Sequence, residues 1–330
     1  MRIDAFPHCL PRVCLDRFRA VASGFALDYL NGMEAQPLLA PLWDLDGRFR
    51  AMDQVEDYVQ VLTICLPPIE FIAQGQTGAD LARLANDEMA ELVVKHPDRF
   101  RGFAASLAIS EVDASLAEIE RAVRQLGALG IQIHTNANGL PLDEPRFEPI
   151  FAAMEALDRP IWVHGWRSPA VADYAGEAES RYGLWLALGW PYEMGMFMGR
   201  LALSGMFDRH PNLRILTHHS GGMAPTFSQR ASGAAMHFNP SQESDRAAVA
   251  SLTKSPLDYF KMFYADTTGQ TPITITAALQ FFGIDRVMMA TDFPWTYPAK
   301  HMTAIDQLSL SEAQRQQLLR ANAQRVLGIK

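Results

Sequence analysis

Short apolar runs, many rich in β-branched residues, recur along the chain, and helix-like stretches fill most of the gaps between them. The runs are Arg2–Phe6, Val61–Leu66, Gly102–Leu107, Ile131–Thr135, Ile161–His164, Leu213–His218, Met262–Asp266 and Val287–Thr291. Near-continuous apolar runs of about five residues are what strands look like when both faces of a parallel sheet are covered. Helical spacing is expected over 79–95, 115–129, 145–157, 192–207, 273–282 and 311–327. Leu116, Ile119, Val123 and Leu126 share one face, and Pro145 suits a first helical turn. Eight strands alternating with helices predict an α/β chain folded as a (β/α)8 TIM barrel. Residues 10–50 and 166–190 exceed the minimal repeat, so insertions are expected after strands one and five, where a barrel shapes its pocket. No internal repeat or Ser/Gly linker interrupts the pattern, and residues 1–330 read as a single domain. Met194, Met196, Met198 and Met206 fall on one predicted helix, where core packing accounts for them.

The polar residues sit at the C-terminal ends of the apolar runs. His8 follows the first, His134 and His164 close the fourth and fifth, His218 and His219 the sixth, Asp266 the seventh and Asp292 the eighth. In a barrel these ends meet at one rim, so residues distant in sequence converge. Imidazoles and a carboxylate gathered there suit a first-row divalent metal, zinc first, and a spare histidine suits acid–base work. Any one such histidine could serve packing, and Asp292 could cap a turn; the joint placement favours a site. Cys65 ends the second run beside Leu66, Pro67 and Pro68, with no base, and reads as a small buried apolar residue. His96 and His210 precede prolines at helix-to-strand turns on the opposite rim and read as structural.

Composition narrows the field. With 48% hydrophobic and 20% charged residues, the chain is neither disordered nor fibrous. A net charge of −8 without a basic cluster argues against nucleic acid. Three cysteines without a CxxC fit a reducing compartment. The opening MRIDAFPHCLP lacks a signal-peptide pattern, and no apolar run approaches the ~18 residues of a membrane span. A cytoplasmic protein without a membrane partner is the expectation.

Six segments together, IDAFPHCLP, GIQIHTNANGLPLDEPRFEPIF, PIWVHGW, HPNLRILTHHSGGMAP, FYADTT and RVMMATDFPW, resemble the amidohydrolase superfamily. The similarity is to its branch of aminocarboxymuconate-semialdehyde and γ-resorcylate-type decarboxylases. The resemblance implies a barrel with one divalent metal, held by a His-x-His or Glu-x-His pair on strand one, a strand-five histidine and a strand-eight aspartate. The matching positions are His8, His164 and Asp292, with His219 of the H-x-G-G motif as acid–base partner beside Asp292. His218, counted by strand alternation from His219, is expected to point away. The first member of the strand-one pair falls on Phe6, which cannot ligate a metal. The metal, zinc or manganese, then persists on the remaining ligands; or His134 replaces the lost one; or the site is metal-free.

The resemblance implies decarboxylation of a small carboxylated aromatic or cyclic compound, with Asp292 or His219 delivering the proton. The alternatives are hydrolysis of a lactone, amide or C–C bond, with or without a metal, and a non-catalytic barrel that binds a small molecule. Arg48, Arg50 and Arg167 are candidates for the substrate carboxylate through bidentate pairing. Phe6, His134, Trp166, Trp190, Phe293 and Trp295 are candidates for the pocket wall. A homodimer or homotetramer is implied by the relatives.

Overall fold

The computed structural model describes residues 1–237, 242–269 and 271–329. Each of the eight apolar runs contributes a strand, and neighbours pair in parallel: Arg2–Asp4, Tyr58–Ile64, Phe100–Ser106, Gly130–His134, Ile161–His164, Ile215–Thr217, Tyr264–Asp266 and Val287–Met288. Their order in the sheet is their order in sequence. A two-residue extension, His8–Cys9, pairs with Thr63–Ile64. The last run returns to the first: Ala5 N donates to Met289 O at 2.9 Å and His8 N to Phe293 O at 2.7 Å. Buried Asp4 reinforces this seam by accepting from Thr291 N at 3.0 Å, Thr291 Oγ1 at 2.6 Å and the Tyr58 hydroxyl.

Alternation along the strands divides the core in two. Ile3, Ala5, Phe6, Val59, Val61, Ala104, Trp162, Leu216, Met288 and Ala290 form one buried cluster, the barrel interior. Trp162 lies across it and donates from Nε1 to Ala5 O at 2.8 Å, so its indole is both buried and satisfied. Alternate residues, among them Leu62, Phe103, Ala105, Ile131, Ile133, Val163 and Ile215, pack outward against the helices. These helices include Gly75–Lys95, Val112–Arg124, Glu148–Ala156, Gly189–Leu203 and Pro272–Phe282.

Three helical expectations change. The helix expected over 192–207 ends at Leu203, and Met206 opens a separate four-residue helix after Gly205, whose φ of 74° turns the chain. Met194, Met198 and Met206 are buried, whereas Met196 is exposed. Residues 145–147 form a 3-10 turn before the helix, and the last helix passes through a π turn at Gln317–Ala321. Residues 10–50, without clear periodicity in sequence, hold helices Arg12–Val21 and Gly24–Glu34, a 3-10 segment at Pro37–Leu42 and the start of helix Leu45–Met52. Among the described residues no helix is long and apolar enough to cross a membrane.

Candidate functional site

Four side chains from four strand ends meet at one point. His8, His164, His218 and Asp292 each offer one ligand atom, and these atoms lie within 4.8 Å of one another. Each imidazole is oriented from outside through Nδ1. For His8, Thr63 Oγ1 donates to Pro7 O at 2.8 Å, which leaves it to accept from His8 Nδ1 at 3.0 Å. His164 Nδ1 lies 2.7 Å from the carbonyl of Gly165, and His218 Nδ1 bonds the Asp266 carboxylate. A carbonyl or carboxylate can only accept, so each Nδ1 carries a proton and each Nε2 turns inward. His8 Nε2 is buried, 3.2 Å from Asp292 Oδ1, and finds no aligned hydrogen-bond partner among the described residues. Three inward Nε2 atoms with fixed outer partners, one of them unsatisfied, beside a carboxylate fit a divalent cation.

Electrostatics agree with that donor set at His8, His164 and Asp292, whereas His218 holds a second proton that a cation would have to displace. Burial lowers the pKa of His8 and His164, keeping both imidazoles neutral as ligands must be. Burial opposes ionisation of Asp292, but His218, His219 and His8 outweigh it and hold the carboxyl well below its usual range. Burial opposes charge on His218 too, yet Asp266 and Asp292 raise it to about 9.

The cluster opens on a cavity of about 590 Å³ whose lining includes His8, His164, His219, Asp292, Trp190 and Trp295. Beyond His218, which is still extended, the backbone leaves the strand conformation: His219 and Ser220 have φ of 53° and 56°. His219 is therefore set on the pocket wall, stacked on Trp190 with centroids 6.2 Å apart, and its Nε2 is 3.8 Å from Asp292 Oδ2. His218 does not point away. Leu216 faces the barrel interior, His218 follows it by two residues, and its ring lies 4.0 Å from that of Phe6.

The other candidates separate into groups. Phe6 is buried against the rings of His8, His164 and His218, on the same side as His8. Trp295 meets His8 edge-on at 5.5 Å. His134 lies beside His164, centroids 5.9 Å apart, and its Nε2 has no partner among the described residues. Trp166 and Arg167 line a neighbouring cavity of about 370 Å³ instead, where Arg167 pairs with Glu193 at 3.3 Å. Arg48 is fully buried behind strand one, donating to Gln60 Oε1 and to the backbone oxygens of His8 and Pro41. Its guanidinium lies 5.1 Å from the ring of Phe293, which is buried with it. Arg50 points to solvent, 3.9 Å from Asp44. Neither Arg48 nor Arg50 faces the pocket. Cys65 is buried with its thiol pKa pushed up by burial, and His210 is held by Glu155 and Glu148 at 3.0 and 3.2 Å. Asp266 closes the seventh run, but its role is visible only in three dimensions: besides His218 it accepts from Ser220 N at 2.9 Å and Thr268 N at 3.0 Å.

The family model described as Amidohydrolase matches residues 39–329. A gamma-resorcylate decarboxylase of Rhodococcus jostii is 33% identical over 317 residues, covering 89% of this chain and 91% of that protein. A 2-amino-3-carboxymuconate-6-semialdehyde decarboxylase of Dictyostelium discoideum is 27% identical, covering 100% of this chain and 92% of its own length. Among solved structures, a 5-carboxyvanillate decarboxylase from Sphingomonas paucimobilis superimposes with a TM-score of 0.86 at 25% identity, over 100% of this chain and 99% of that one. A dihydroxybenzoic acid decarboxylase from Polaromonas, solved with manganese and 2-nitroresorcinol, gives 0.82 at 25% identity, over 99% and 96%. A parallel eight-stranded sheet with a histidine–aspartate cluster at its C-terminal rim, matched along nearly its whole length, belongs to the amidohydrolase family.

Proposed function

We propose that the protein is a divalent-metal-dependent decarboxylase, a carbon–carbon lyase acting on a small aromatic or cyclic carboxylate. The observation that carries this reading is the inward set of His8, His164 and Asp292 at the floor of the pocket, each imidazole oriented by an outer partner. These three would hold the cation. When bound, it supplies positive charge for a substrate carboxylate and a neighbouring oxygen. Manganese is bound in the Polaromonas relative, and the imidazole-rich donor set equally suits zinc.

The remaining chemistry belongs to the chain. Decarboxylation needs a proton at the ring carbon that bears the carboxylate. The C–C bond then breaks, its electron pair returns to the ring, and CO2 leaves. His219, on the pocket wall beside Asp292, is the group we assign to deliver that proton. Trp190 and Trp295 give the pocket aromatic walls for a flat ring, and 590 Å³ accommodates a single-ring acid. Neither Arg48 nor Arg50 meets the substrate in this reading, so the carboxylate is left to the cation. The segments after strands one and five act as pocket-shaping insertions, and the chain is expected to assemble as a homodimer or homotetramer.

The test is to strip the protein of metal, reload it with manganese or zinc, and measure CO2 release from a panel of hydroxybenzoic acids. Turnover restored by metal supports the reading. Turnover confined to lactones or amides would put hydrolysis in its place, and binding without turnover would leave a non-catalytic barrel.

A further inference from the structure

We propose that His218 is the fourth protein ligand of the cation, standing in for the ligand that Phe6 removes from strand one; this rests on the metal-dependent reading above. Phe6 and His218 are directly apposed, with ring centroids 4.0 Å apart. The phenyl ring occupies the place from which a strand-one side chain would ligate, and the imidazole approaches the same point from strand six. His218 is fully buried and is not part of the pocket lining, so it is placed beneath the substrate space rather than beside it.

The donor atoms are arranged accordingly. One atom each from His8, His164, His218 and Asp292 falls within 4.8 Å of the others. Ligand atoms about 2.1 Å from a shared cation would stand closer together than that, so these side chains would rotate inward to hold it. The Nε2 of His218 already faces Asp292 Oδ1 at 3.5 Å, while Nδ1 is fixed by Asp266. Asp266 is itself immobilised by the backbone amides of Ser220 and Thr268. A carboxylate holding the outer nitrogen of a ligating histidine sets its tautomer and ring plane. Asp266 is thus a positioning residue for His218. His134, the other spare imidazole, is not a member of the convergent set.

The experiment is metal binding, read without turnover. Untagged protein is stripped, titrated with manganese or zinc, and its affinity measured by competition with a chelating dye. His218→Ala should lose about 100-fold or more in affinity, and Asp266→Asn about 10–100-fold. Adding Phe6→His to His218→Ala should restore most of the loss, because the strand-one ligand returns. If His218→Ala binds as tightly as wild type while His164→Ala does not, the cation site stands and His218 is not its ligand. A wild-type protein that takes up no cation overturns both this assignment and the proposed function. Should His218→Ala fail to fold, His218→Asn loaded with cobalt gives a second readout: an altered visible spectrum supports ligation, and an unchanged one refutes it.

Discussion

Glu70, in the short helix Ile69–Ile72 after strand two, is 2% exposed, and its Oε1 has no partner among the described residues. Burial outweighs the backbone hydrogen bonds that favour its charge and raises its carboxyl from 4.5 to about 7. The folded chain therefore binds this proton more tightly than the unfolded chain. Its stabilising contribution is complete below about pH 4.5 and is lost as pH rises through about 7, a change of about 3 kcal/mol. Glu70→Gln should remove that slope; urea melts of both proteins at pH 5 and 7.5 check it, and parallel behaviour would refute the assignment. At the site, His219→Ala should lower turnover about 10²–10⁴-fold while metal content stays at the wild-type level. Loss of both together would make His219 a ligand instead. His8, His164, His219 and Asp292 were legible in sequence because each follows or closes an apolar run. His218 was not, because parity counted from His219 starts on a residue that has left the strand, whereas parity counted from Leu216 along extended backbone turns it inward. Nothing in the sequence distinguishes buried Arg48 from exposed Arg50, two residues on in the same helix; the difference is set by the fold around Gln60 and Phe293.

The turn from 219 to 222 is the element on which the site depends most. Four successive residues, His219, Ser220, Gly221 and Gly222, have positive φ. Gly222 at φ 58° and ψ −123° occupies a region closed to other residues, and a Cβ there would come 2.7 Å from both Met194 Cβ and Pro191 O. Gly222→Ala should cost at least the 1–3 kcal/mol of such backbone strain and move His219 off Trp190. A thermal melt and a turnover assay read the two effects; a variant with both at wild-type values would show that the turn is not tightly determined. The eight strands were readable because covered parallel strands carry an unbroken apolar signal. The helices of residues 12–52 were not, since their buried positions are interrupted by proline and by polar residues that face solvent. The π turn within the last helix sits against the last strand, where Met289 N donates to the carbonyl of Leu318 at 3.0 Å.

At the scale of the whole molecule, a cation that binds the folded chain alone adds to its stability. At 100 times its Kd the gain is about 2.7 kcal/mol, or roughly 5 °C in Tm for a large domain. Calorimetry with and without manganese should register that rise, and His164→Ala should abolish it; a Tm indifferent to metal would mean that the cluster binds none. The seam between the first and last strands has a consequence for how such a molecule is made. Asp4 and Thr291, which bond across it, stand 287 positions apart. His8 and Asp292 flank the same seam, so the first candidate ligand leaves the ribosome long before the last. Until strand eight docks against strand one, the set lacks Asp292, its one carboxylate. A cation held by the whole set therefore reports that the first and last strands have met, because its donors come from both sides of the seam.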